Sequence, residues 1–164
     1  MARRLLPALP FLAAVLLVPA AQGATRLSLK LTSYTTITQT HDTPPKGKPN
    51  KGDSIDFKDL LVTTSAQLGK PKGKPVGYDA GTVLYTSATT QKIEGQTTFP
   101  GYGTLTFIGP LVTAKDGSAR IPVVSGTGAF KGAKGMLIIG AGNQKAPNTY
   151  VLTLPHPLAP PGSA

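Results

Sequence analysis

After residue 23, no stretch of this chain spaces its apolar residues at i, i+3, i+4 and i+7, as an amphipathic helix requires. Short runs rich in Thr, Val, Leu, Ile and Tyr recur instead, separated by Gly, Pro, Asn and Asp. A backbone without helical pattern must satisfy its amides and carbonyls between strands, so the chain is predicted to be all-β. The first and longest strand is expected over Arg26–Thr40, where Leu27, Leu29 and Leu31 alternate with Arg26, Ser28 and Lys30. Seven more are expected at Ser54–Ser65, Val76–Ser87, Gln91–Phe99, Gly103–Thr113, Ala119–Ser125, Gly135–Ala141 and Asn148–Leu154. The loops His41–Gly52 and Ala66–Pro75 are too rich in Lys, Pro and Gly to join a ladder, and Pro100-Gly101 breaks the chain again. Asp116-Gly117 is a hairpin signal, read as a type I′ turn whose two central residues take positive φ, and Gly142-Asn143 turns the seventh strand towards the eighth.

Eight consecutive strands with mostly short links make a meander, and an open sheet of that length would leave two edges exposed. Closure removes them. The expectation is therefore a single eight-stranded antiparallel β-barrel over residues 24–154, with a two-sheet β-sandwich as the alternative. Eight strands enclose an interior just wide enough for packed side chains or one small ligand.

The flanks read differently. Arg3 and Arg4, the apolar run Leu5–Val18, and Ala21 and Gly23 before a cleavage at Ala24 form an export signal over residues 1–23. The run is shorter than the roughly 20 residues of a spanning helix, so no membrane span is expected after processing. The mature protein is expected to be secreted, outside the cell or in the periplasm. Residues 155–164 hold four prolines and read as a loose, disordered tail. The chain has no cysteine, which excludes a disulfide scaffold and a thiolate metal site.

The formal charge is +10, and without Arg3 and Arg4 there remain 15 basic residues against 7 acidic ones. Lysine supplies 13 of those 15. Nucleic-acid readers depend on arginine with interleaved aromatics, so nucleic acid is not an expected partner. Lys46, Lys48 and Lys51 share one loop and Lys70, Lys72 and Lys74 another. Such clusters either keep the protein solvated or give weak contact with polyanions of a cell envelope.

Catalytic groups are sparse. His41 and His156 stand alone in irregular segments, which gives neither a metal pair nor the base of a Ser-His-Asp triad, and no metal or cofactor is expected. Asp53, Asp56 and Asp59 lack the alternation and central glycine of a calcium loop. Parity singles out two acids: Asp59 shares a face with Leu61 and Thr63, and Asp79 with Gly81, Val83 and Tyr85. If those faces line a lumen, both carboxyls point inward and are candidates for general acid–base work. The alternative is turn chemistry, with each capping backbone amides in water. The inferred inner set begins with Leu27, Leu29, Leu31 and Ser33, then Leu61, Thr63 and Ser65. It continues with Val83, Tyr85, Leu105, Phe107 and Leu111, and Tyr85 is the one tyrosine assigned to it. Leu31, Ser33, Leu61, Thr63, Ser65, Val83, Tyr85, Phe107 and Leu111 are the ligand-binding candidates.

The most distinctive stretch runs from Gly126 to Gly135, Gly-Thr-Gly-Ala-Phe-Lys-Gly-Ala-Lys-Gly. It fits neither a dinucleotide fingerprint nor a phosphate loop. It reads as a bend in which Gly126, Gly128, Gly132 and Gly135 supply positive φ and Phe130 plugs the core. With Asp59-Leu60-Leu61, Gly77-Tyr78-Asp79-Ala80-Gly81 and Gly103-Thr104-Leu105-Thr106-Phe107-Ile108-Gly109-Pro110, this stretch resembles the dirigent and allene oxide cyclase barrel family. The likeness covers Lys51–Leu154 and, loosely, the first strand. It implies an eight-stranded barrel, often trimeric, that holds a hydrophobic ligand in its lumen. Homo-oligomers, trimeric or dimeric, are thus expected partners beside a hydrophobic small molecule. The sequence departs from that family at Ser125, where a further glycine is usual, and in lacking a pocket cysteine. Leu31 and Ser33 stand where the cyclases resembled carry Glu and Asn, and no acid occurs from Ala24 to His41. Three functions are consistent with this: a barrel that binds and orients a hydrophobic molecule, a cyclase or isomerase acting by confinement, and a non-catalytic envelope protein.

Overall fold

A computed structural model describes residues 23–141 and 147–159. Residues 1–22 of the expected export signal, the expected Gly142-Asn143 turn and residues 160–164 of the expected tail lie outside them. Eight strands follow in chain order: β1 Thr25–His41, β2 Ser54–Thr63, β3 Pro75–Tyr85, β4 Gln91–Phe99, β5 Gly103–Pro110, β6 Ala119–Gly126, β7 Lys134–Ile139 and β8 Asn148–Leu154. Each pairs antiparallel with the next, and β8 pairs with β1, so the sheet closes into a barrel. The sandwich alternative is excluded.

The length of β1 makes closure possible. Its first part, Thr25–Leu31, pairs with β8, and its second, Leu31–His41, pairs with β2. One strand thus passes from one neighbour to the other along its own axis, which is the stagger a closed sheet requires. The pairing with β2 shifts between Thr35 and Ile37. Thr36 is the extra residue, and such a bulge reverses side-chain parity beyond it.

Inward residues differ along the barrel axis. At the end where β8 finishes, Leu29, Leu31, Leu61, Leu105, Leu152 and Leu154 are almost wholly buried. Phe99 lies between Phe130 and Tyr150, with ring centroids 5.3 and 6.0 Å away. A short 3-10 turn at Gly128–Phe130 sets Phe130 in place. Gly128 has φ +57° there, and a Cβ on it would collide with the Tyr102 carbonyl oxygen. Gly132 and Gly135 also have positive φ, whereas Gly126 does not. Leu158 packs against the same core from beyond β8.

Two local expectations are corrected. The β5–β6 turn is not type I′, because only Gly117 has positive φ and Asp116 does not. Gly117 N–H donates to Ala114 O at 2.9 Å, a tight turn followed by a left-handed glycine. Asp116 instead accepts from the Ser118 amide and hydroxyl at 3.0 and 2.7 Å. The second correction concerns β2, which stops at Thr63. The Thr63 hydroxyl turns to the following loop and donates to Pro71 O at 2.6 Å, leaving Ser65 exposed outside the barrel.

Candidate functional site

At the opposite end, where β1 finishes and β8 begins, the lumen is hollow. A cavity of about 280 Å³ is lined by Thr35, Thr38, Ile55, Phe57, Asp59, Asp79, Val83, Ile93, Phe107, Leu111, Leu137, Ile139 and Asn148. Every strand except β6 contributes, each through the inward parity of its ladder. Thr38 enters only because the bulge at Thr36 reverses parity on β1. Phe107 lies against Gly95, its register partner on β4, and a Cβ at Gly95 would come within 2.6 Å of that ring. The missing side chain therefore makes room for the ring.

The cavity floor is a hydrogen-bonded tie across the lumen. From β8, Tyr150 reaches β3 and β4 and is wholly buried. Its hydroxyl donates to the Asp79 carboxyl, with oxygen separations of 2.8 and 2.9 Å. The Thr97 hydroxyl lies 2.8 Å from the same oxygen and completes the chain. Asp79 is 3% exposed, so it does not cap a strand end in water. Burial raises its pKa to about 7, the hydroxyls of Thr97 and Tyr150 oppose that rise, and the charge of Asp59 adds to it. Tyr150 is itself held well above the ordinary tyrosine range, by burial first and then by Asp79.

Asp59 is the register partner of Asp79 on β2. Ser33 Oγ donates to its Oδ2 at 2.6 Å. Its other oxygen, Oδ1, is buried and has no partner. An unsatisfied buried carboxyl oxygen is costly, and a donor from outside reaches it only if the wall around Asp59 yields.

The candidates named from sequence divide by position. Asp59, Asp79, Val83, Phe107 and Leu111 line the cavity, and Ser33 stands behind Asp59. Leu31 and Leu61 belong to the packed end, where nothing reaches them. Thr63 closes a loop and Ser65 lies outside. Tyr85 borders a separate groove beneath the β1–β2 loop, beside Thr40, Asp42 and Ile55. Tyr150 was not assigned inward from sequence, yet it alternates with Leu152 and Leu154, and that parity would have found it. The two lysine loops do not form one patch, because the β1–β2 and β2–β3 connections stand at opposite ends of the barrel.

No protein-family model matches the sequence, and a search of curated proteins finds no relative. Solved structures do match. Pyocyanin demethylase aligns with a TM-score of 0.63 at 23% identity, over 77% of this chain and all of that one. The pterocarpan synthase dirigent protein GePTS1 aligns with 0.55 at 16%, over 89% of this chain and 94% of its own. For the pterocarpan synthase dirigent protein PsPTS1 the values are 0.53 and 17%, over 82% and 94%. At these identities the likeness is one of fold, and the fold of this chain is the dirigent-like eight-stranded barrel.

Proposed function

We propose that this protein is an exported barrel that binds and orients a small, largely apolar molecule in the open half of its lumen. The observation that carries this reading is the hollow end itself. Ile55, Phe57, Val83, Ile93, Phe107, Leu111, Leu137 and Ile139 form an apolar wall interrupted by a few convergent polar groups, the usual make-up of a small-molecule site. The names of the matched structures, a demethylase of pyocyanin and two pterocarpan synthases, are those of proteins acting on small molecules. Export rests on the charged start, apolar run and small-residue site of the first 23 residues.

The carboxyl pair favours a catalytic extension, an isomerisation or cyclisation driven by proton transfer. Asp79, its pKa raised to about 7, exchanges its proton near neutral pH and Asp59 sets a second carboxyl at the cavity wall, so one can donate to the guest while the other accepts from it. Bonds rearrange within the guest, and no electrons enter or leave. Confinement against the aromatic wall supplies the orientation.

Titration with the neutral fluorophore N-phenyl-1-naphthylamine tests the binding reading. One molecule should bind per chain, and Leu111→Asp, at the half-exposed mouth, should abolish binding without unfolding the protein. Absence of binding by the parent chain would overturn the reading. If a substrate is found, turnover that survives both Asp59→Asn and Asp79→Asn removes the proton-transfer step and leaves the binding site.

A further inference from the structure

The charges of this molecule are distributed unevenly. The chain has 17 basic residues against 7 acidic ones, and a random sample of its charged groups would be mostly lysine. The cavity holds two of the seven acids, while none of its lining residues is Lys, Arg or His. The ion pairs among the described residues are His41–Asp56 and Lys92–Glu94, both on the outer surface, so neither lumenal carboxyl has a protein counter-ion there. Hydroxyl groups do what they can: Tyr150 serves Asp79, and Ser33 serves one oxygen of Asp59. Asp59 Oδ1 is left without a donor. The negative charge of Asp59 is felt at Asp79, its partner across the β2–β3 ladder.

An apolar cavity lined by two carboxyls and no basic side chain, within a basic protein, is selective in a definite sense. An anion would meet Asp59 in a low dielectric and be rejected. A neutral guest would gain from burial alone and leave the Asp59 carboxylate without a counter-charge. A compact cation such as an ammonium would lose too much hydration against the apolar wall. A cation whose charge is spread over a planar ring loses less, presents its faces to Phe57 and Phe107, and supplies the missing counter-charge.

We propose that the guest of this lumen is a planar aromatic cation, with its positive charge opposite Asp59 and its ring system against Phe57 and Phe107. This rests on the reading of the hollow end as a binding site. It adds the charge class of the ligand.

A matched pair of probes separates the two ideas. Acridine and 10-methylacridinium share one ring skeleton, and only the second is permanently charged; at pH 8 acridine is neutral. Binding of each to the full chain is followed by fluorescence titration and by displacement of N-phenyl-1-naphthylamine. The cation is expected to bind at least tenfold more tightly than acridine. In Asp59→Asn that preference should fall to about twofold or less, with the affinity for acridine little changed. The net charge, +10 for the whole chain and +8 without Arg3 and Arg4, disfavours a cation at the outer surface, so a preference of this sign that Asp59→Asn removes belongs to the lumen. Asp59→Ser serves as the second variant if the first does not fold. Equal affinities, tighter binding of acridine, or a cation preference unchanged in the Asp59 variants would each overturn the proposal and leave the binding site standing. Binding of the naphthylamine with neither acridine would do the same. If none of the three probes binds, the binding site and the cation fall together.

Discussion

The two ends of this barrel are built from the same strands and the same alternation, yet one is solid and the other hollow. At the packed end the inward positions carry Leu29, Leu152, Leu154, Phe99 and Phe130, all 2% exposed or less. At the open end the same ladders present Ile55, Phe57, Val83, Leu111 and Ile139, each only partly buried, interleaved with Asp59, Asp79 and Asn148. The difference lies in side-chain volume and in Tyr150. Phe99 and Phe130 fill one end beneath Tyr150, whereas a cavity of about 280 Å³ stays open at the other. Tyr150 stands between the halves, anchored across the lumen to Asp79. Stability is thus concentrated at one end, which frees the other to keep groups that stability alone would not select.

The comparison is tested most strongly at the packed end. Phe130→Ala should cost about 3–5 kcal/mol of unfolding free energy, the range for a large aromatic lost from a close-packed core. Chemical denaturation measures it. The affinity of the folded protein for N-phenyl-1-naphthylamine should stay within about twofold, because the cavity lies beyond Tyr150. A large change in that affinity would mean that the ends are not independent.

The boundary between them is read by pH. Asp79 has its pKa raised by burial from 3.8 to about 7, so the folded protein binds its proton more tightly than the unfolded chain does. Its contribution is fully present below about pH 4 and is lost as pH rises towards 7, by roughly 4 kcal/mol at most. Asp53, Asp56 and Asp116 act in the opposite sense. Their pKa values are lowered, chiefly by Thr43 N–H, the Thr82 hydroxyl and the Ser118 hydroxyl respectively, so their contributions fade only as pH falls below 3.8. The windows do not overlap. The difference between wild type and Asp79→Asn should isolate the upper one, with the variant losing the decline from pH 4 to 7. An unchanged decline in the variant would show that Asp79 is not the titrating group.

At the open end, Phe57→Ala should cost less, about 1–2 kcal/mol, since the ring is only half-buried and borders empty space. Its loss should appear instead in probe binding, weakened roughly tenfold or more. Stability and binding are therefore expected to separate: Phe130 governs the first and Phe57 the second. A Phe57 variant as destabilised as Phe130→Ala would show that the open end also holds the fold together.

Much of this division was legible in the sequence. Alternation and turn residues place all eight strands, because a pleated strand exposes its period directly in the order of residues. Parity also puts Val83, Phe107 and Leu111 on the face that lines the cavity. The rest depends on tertiary facts that no local window contains. The bulge at Thr36 is not marked by glycine or proline, so the reversal that brings Thr38 inward is hidden. Whether Asp79 meets water or the lumen is decided by Tyr150, which is 71 positions away in the chain. The type of turn at Asp116-Gly117 was missed because Asp116 found partners in the Ser118 amide and hydroxyl without adopting positive φ. Leu31 and Leu61 have inward parity like the cavity residues, but height along the axis, which alternation does not report, puts them in the packed half.

The smallest expected effect is also the most local. Ser33 has one specific contact at the site, the 2.6 Å hydrogen bond from its hydroxyl to Asp59 Oδ2. Ser33→Ala should lower stability by about 1 kcal/mol, the net worth of one such bond. The pH profile is the sharper readout. Burial is the leading cause of the raised Asp79 pKa and Asp59 the last, so removing a partner of Asp59 should leave the Asp79 transition near pH 7 where it was. If Ser33→Ala instead moves that transition by a full pH unit, the two carboxyls titrate as one coupled pair. The boundary at Tyr150 and the cavity wall at Asp59 would then form a single electrostatic unit, and the division between the two ends would run through Ser33 as well.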